Sequence, residues 1–125
     1  MGFIDSFFGK SSERVSNINW STLSDIAQLD TIINDSDSKT QVIFKHSTRC
    51  EISSSVLRKF EQQFDNKSTV SLHFLDLLNY RSISNEIVKR FDVVHQSPQL
   101  LVLKNGVVVT HDSHYTILDI DVTKY

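Results

Sequence analysis

Val42-Ile43-Phe44-Lys45-His46-Ser47-Thr48-Arg49-Cys50-Glu51-Ile52-Ser53 is the stretch that decides how this chain reads. It opens as a strand, Val42 to Lys45 with Gln41 leading in. It closes as a helix, because Ile52, Val56, Phe60 and Phe64 recur at helical spacing with Leu57 beside them. Between the two stands Cys50, the only cysteine in the chain. Thr48-Arg49-Cys50-Glu51 fits a capping box, with Thr48 as N-cap and Glu51 at the third helical position. That places Cys50 inside the first helical turn. The N–H groups of a first turn lack helical partners, and together with the helix dipole they favour a thiolate. Arg49 adds a positive charge next to it. A lone cysteine is otherwise most often a small buried hydrophobe, and the strand-to-helix position argues against that here.

The bulk properties narrow the setting. A chain of 125 residues is one domain by size. A net charge of −2 gives no reason to expect a nucleic-acid partner. One cysteine excludes an internal disulfide and argues against a cysteine-based zinc site, and the lack of a disulfide framework favours a reducing compartment. No apolar run approaches the roughly 20 residues that span a bilayer. Residues 1–19 read as an arm and connector, and residues 20–125 as the domain. In the arm, Phe3, Ile4, Phe7 and Phe8 share one side of a short helix. It packs on the domain or on another subunit, with a membrane contact as the other reading. It lacks the basic n-region and cleavage site of a signal peptide.

Working outward, Leu23, Ile26, Leu29, Ile32 and Ile33 mark a first helix, with Ser24 as its cap and Asp25 in its first turn. Asn34 to Ser38 breaks it. Thr69 to Leu75 alternates as a strand. Ile83, Ile87, Val88 and Phe91 mark a third helix, capped by Ser82. Gln99 to Leu103 is a strand, Asn105-Gly106 a hairpin turn, and Val107 to Thr110 the last strand. Tyr115, Ile117, Leu118 and Ile120 suggest a short final helix or irregular cap. Strands separated by helices pair in parallel through right-handed crossovers. The expected fold is therefore α/β: a four-stranded mixed sheet, parallel strands plus a C-terminal antiparallel hairpin, with helices on both faces.

A cysteine between an early strand and helix, with Ser97-Pro98 just before a late strand, is the layout of the thioredoxin-like fold. In that frame Cys50-Glu51-Ile52-Ser53 is C-x-x-S, with Ser53 where a second cysteine usually stands. A monothiol cannot close its own disulfide; it forms a mixed disulfide that an outside thiol releases. Phe44 to Ser53 resembles the active-site segment of the monothiol bacilliredoxins, also called the YtxJ family, whose usual pattern is a KHS start followed by T-C-P-I-S. Trp20, Leu29-Asp30-x-Ile32-Ile33 and Ser97-Pro98-Gln99 extend the resemblance over residues 20–125. It implies a cytoplasmic thiol–disulfide oxidoreductase that removes bacillithiol, or a similar small thiol, from S-thiolated proteins. Such an enzyme carries no bound cofactor and uses the free small thiol as cosubstrate. Cys50 would be the nucleophile, supported by Thr48, Arg49 and Ser53, whose hydroxyl can point at the sulfur. A cis Pro98 beside Cys50 would form the opposite wall of the groove, and the Ser97 backbone would pair with substrate. The chain departs from the family in carrying Glu51 where proline is frequent.

The remaining polar residues have two readings each. His46 either supports the thiolate or is a solvated loop residue. Lys45 either meets a substrate carboxylate or simply ends the strand. Glutaredoxins carry a lysine three residues before the cysteine; Ser47 stands there, so a glutathione-type site is not reproduced. His73, His95, His111 and His114 show no metal spacing and read as structural or surface residues. From a different class, the alternative is a thioredoxin-fold binding or redox-sensing module whose cysteine is modified without turnover.

Overall fold

The computed structural model describes residues 18–65 and 69–125. The apolar N-terminal arm lies outside them. The elements are β1 (Trp20–Thr22), α1 (Ala27–Asp35), β2 (Gln41–His46), α2 (Glu51–Gln63), β3 (Ser71–Asp76), α3 (Arg81–Phe91), β4 (Gln99–Lys104) and β5 (Val107–Ser113). Two 3₁₀ segments follow, His114–Asp119 and Val122–Lys124. No helix among the described residues is long and apolar enough to cross a membrane.

The sheet has five strands in the order β1-β3-β2-β4-β5, one more than the sequence predicts. The extra strand is β1, which pairs in parallel with β3, Trp20 opposite Leu72. Three residues are too few to show alternation, so nothing in the local pattern marks them as a strand. Tertiary contacts fix β1 instead. Trp20 Nε1–H donates to Glu61 of α2 at 2.8 Å. The indole also meets the rings of Phe44, Phe60 and Phe74 at centroid distances of 6.0, 6.0 and 5.7 Å.

A second correction concerns β4. The strand–helix–strand rule predicts it parallel to its predecessor, yet it lies antiparallel to β2, Lys45 opposite Gln99. The reason is the connector after α3. Asp92 caps that helix in the left-handed region (φ 54°), and residues 92–98 then form a connector without helix or strand. Seven residues can span up to about 20 Å, enough to return the chain along the sheet to the end where β2 stops. The β4–β5 hairpin turns at Asn105 and Gly106, both at positive φ (54° and 80°), the primed turn that such a pair favours.

Alternation along β2 and β4 sorts the core into two layers. Ile43, Leu101 and Leu103 face α1 and α3, packing on Leu29, Ile32, Ile83 and Ile87. Val42, Phe44, Leu100 and Val102 face the other way, onto Val56, Leu57 and Phe60 of α2 and Ile117 of the first 3₁₀ segment. Helix starts differ from the sequence expectation. Helix α1 starts at Ala27, where the Asp25 carboxylate accepts the N–H at 2.9 Å, while the Gln28 side chain accepts the N–H groups of Ser24 and Asp25. Asp25, not Ser24, is thus the capping side chain. Helix α3 starts at Arg81, with no side-chain cap on Tyr80, so Ser82 lies inside it.

Candidate active site

Cys50 is the N-cap of α2, with extended backbone angles (φ −110°, ψ 116°), and is partly exposed. It therefore stands one step before the helix, not inside its first turn. Its carbonyl accepts the Ser54 N–H at 3.2 Å and its own N–H donates to the Ser47 carbonyl at 3.2 Å. No side chain caps α2, so Thr48, exposed on the loop, does not close the predicted capping box. The serines explain why. Ser47 N–H donates to Ser53 Oγ at 3.1 Å, and Ser47 Oγ accepts the Arg49 N–H at 3.4 Å. Both bonds draw residues 47–50 into a turn ahead of the helix. An N-cap side chain is placed to accept from the second and third N–H groups of its helix. Here that side chain is the Cys50 thiol, which makes no such bond in this structure.

Ser53 is fully buried. Its hydroxyl takes the Ser47 N–H and lies 2.8 Å from His46 Nδ1. A hydroxyl has one proton to give. The expected bond to the Cys50 sulfur is therefore open to it only when Nδ1 carries its own hydrogen. His46 itself is buried, its ring 5.4 Å from that of Phe74, which sets aside the reading of a solvated loop histidine. Arg49 is exposed, as is Glu51, the first helical residue.

Across the β2–β4 ladder stands the second half of the site. The last pair is Lys45 opposite Gln99, so His46 and Pro98 follow at the same end of the sheet. The Ser97–Pro98 peptide bond is cis. Ser97 Oγ and Gln99 Oε1, on either side of Pro98, are buried without a hydrogen-bond partner. Lys45 is fully buried, turned away from Cys50's helix. Its ammonium lies 3.0 Å from His95 Nδ1 and 3.5 Å from Ser84 Oγ. Burial pushes its pKa from 10.5 down to about 8. His95 is held below the ordinary imidazole value by burial, then by the charges of Lys45 and Arg81.

The matching family model is that of the monothiol bacilliredoxin BrxC, over residues 21–122. The chain belongs to the monothiol bacilliredoxin family. Among solved structures, one described as having a thioredoxin fold matches at 30% identity and a TM-score of 0.69, covering 83% of this chain and 88% of that one. Fasciola hepatica thioredoxin matches at 19% identity and a TM-score of 0.67 (82% and 96% covered). Oxidised mitochondrial thioredoxin 3 from Saccharomyces cerevisiae matches at 15% identity and a TM-score of 0.67 (84% and 94% covered). The last two show the fold alone. Bacilliredoxin membership and the thioredoxin fold support a role in thiol–disulfide chemistry. The structure ties Ser53 to His46 directly and to the Cys50 backbone through Ser47, with Ser97 and Pro98 at the same end of the sheet. Ser47, Ser84, His95 and Gln99 were not singled out from sequence as parts of it. The available signal was polar residues, Lys45 and Gln99, ending two otherwise apolar strands.

Proposed function

We propose that the protein is a monothiol thiol–disulfide oxidoreductase that removes bacillithiol from protein mixed disulfides. The observation that carries this is the pairing of one thiol at a helix N-cap with a buried serine hydroxyl at the position of a second thiol. The Cys50 thiolate attacks the bacillithiol sulfur of the mixed disulfide. One S–S bond forms, the other breaks, and the target protein leaves as a thiolate that takes a proton from water. Cys50 now carries the small thiol. With no other cysteine in the chain, a free small thiol must attack the adduct, leaving a symmetrical small-thiol disulfide and the Cys50 thiolate. Each turnover thus consumes one free small thiol, which leaves joined to the bacillithiol taken from the target, and no bound cofactor takes part.

The Cys50 sulfur sits at the head of α2, where the N–H groups of Ile52 and Ser53 lie within reach of a capping group. Arg49 contributes a nearby positive charge. Thr48, exposed on the loop, adds no cap and acts at most on incoming substrate. The substrate segment lies along Ser97. No described residue hydrogen-bonds to the Ser97 backbone, which leaves it able to pair with an extended peptide. The partners are S-thiolated proteins in a reducing compartment such as the cytoplasm. The test is turnover of a bacillithiolated peptide with free bacillithiol present. Wild-type protein should release the peptide thiol catalytically, and Cys50→Ser should not. One stoichiometric modification of Cys50 without turnover would instead make it a sensor.

A further inference from the structure

On the α3 side of the sheet, β2 and β4 carry Ile43, Leu101 and Leu103, with buried Gln41 at the end away from the thiol. At the thiol end Ile43 and Leu101 give way to Lys45 and Gln99, which face each other in register and are 0% and 1% exposed. A buried ammonium without a counter-charge is costly, and no ion pair among the described residues includes Lys45. What the two side chains gain is contact with the loop between α3 and Pro98. Lys45 reaches His95 at 3.0 Å. Gln99 Nε2–H donates to the Val94 carbonyl at 2.9 Å. Two consecutive loop residues are therefore held from beneath by two neighbouring strands.

Beyond these bonds, Ser84 Oγ lies 3.3 Å from His95 Nδ1, and little else holds the loop. The Val94 side chain is 76% exposed, and His95 is exposed as a whole. Apolar burial secures the loop only at its ends, through Val93 and Pro98. An ammonium only donates, so Nδ1 of His95 must accept, which makes the ring neutral with its hydrogen on Nε2.

We propose that Lys45 and Gln99 are positioning residues that hold loop 94–97, and through it the substrate-pairing backbone of Ser97, with His95 as the link. This rests on the substrate groove proposed above. Lys45 then acts on substrate through the loop, not by direct contact. Protonating His95 turns Nδ1 into a donor facing the Lys45 ammonium, with Arg81 and Ser84 of α3 as the other groups around the ring. The tie is then broken. The loop should loosen as the pH falls through the His95 titration, which lies below the ordinary imidazole value of ~6.5.

The test combines NMR relaxation with kinetics. In His95→Ala, the backbone order parameters of residues 94–97 should fall from about 0.85, the value of rigid backbone, to below ~0.6. Lys45→Met should lower them too, with Ser84 left as the remaining contact to the ring. His95→Asn keeps an acceptor near the Nδ1 position and should restore them. With a peptide bearing a cysteine–bacillithiol mixed disulfide, His95→Ala should raise KM several-fold and change kcat little, and His95→Asn should recover KM. Unchanged order parameters at 94–97 in both His95→Ala and Lys45→Met overturn the proposal, as does a fall with unchanged KM. The relaxation measurement needs no turnover, so a wild-type protein that failed to release bacillithiol would refute the groove without deciding the loop anchor.

Discussion

Ser53 Oγ lies 2.8 Å from His46 Nδ1 and also accepts the Ser47 N–H at 3.1 Å, wholly out of solvent. Ser53 sits where a dithiol enzyme carries its second sulfur, and its hydroxyl is structurally committed. It ties the end of β2 and the turn before Cys50 to the first turn of α2. Sulfur is a weak acceptor and a weak donor, so a thiol there would hold the turn less well.

Ser53→Ala should therefore leave the buried Ser47 N–H short of its partner and remove the hydroxyl from His46. The expected loss is about 1–3 kcal/mol of unfolding free energy, read from urea denaturation. Attack by Cys50 on a mixed disulfide should slow as well, because the turn carrying the thiol is no longer fixed. A change in stability within ~0.3 kcal/mol would show that the network contributes nothing.

Lys45 gives a prediction of opposite sign. Its folded pKa is about 8 against 10.5 when unfolded, so between those values the unfolded chain holds more protons. Stability from this group must rise as the pH climbs through that window, and below it the full penalty applies, on the order of 3 kcal/mol. Lys45→Met should consequently match or exceed wild-type stability at pH 7, and lose that advantage as the pH rises toward 10.5. Urea unfolding of both proteins at neutral and alkaline pH checks this. A variant much weaker at neutral pH, with a pH-independent difference, would mean the ammonium is well compensated where it lies.

Trp20 tests the edge strand. Trp20→Ala removes its hydrogen bond to Glu61 and its packing on Phe44, Phe60 and Phe74. It should cost about 2–4 kcal/mol. The strand lies two places from β2, on the far side of β3, so alkylation of Cys50 in the folded variant should keep its wild-type rate. Slowed alkylation would tie β1 to the thiol turn.

How far the sequence carried the structure depends on where each residue's fate is decided. The stripe Ile52, Val56, Phe60 and Phe64 shows α2 because its pattern is local, and Asn105-Gly106 shows the hairpin for the same reason. Cys50 at the strand–helix junction follows from that stripe and from the strand run Val42 to Lys45 before it. Trp20–Thr22 could not be read as a strand, since its conformation is fixed by rings distant in sequence. The direction of β4 was hidden too, because the length of connector 92–98 overrides the crossover rule. Thr48 matched a capping box that does not form; the competing serines, Ser47 and Ser53, settle the turn through bonds that no local motif encodes. Lys45 and His95 stand 3.0 Å apart across 50 residues of sequence, beyond any spacing argument.

The most direct test of the account is the state of Cys50 after one encounter with substrate. Wild-type protein, incubated with an equimolar bacillithiolated protein and no free thiol, is examined by intact-mass spectrometry. The account predicts that the chain gains the mass of one bacillithiol, on Cys50, as the partner's thiol appears, and that the adduct persists until free bacillithiol is added. Release of the partner's thiol with no adduct on Cys50, or an adduct that clears without any external thiol, would contradict it.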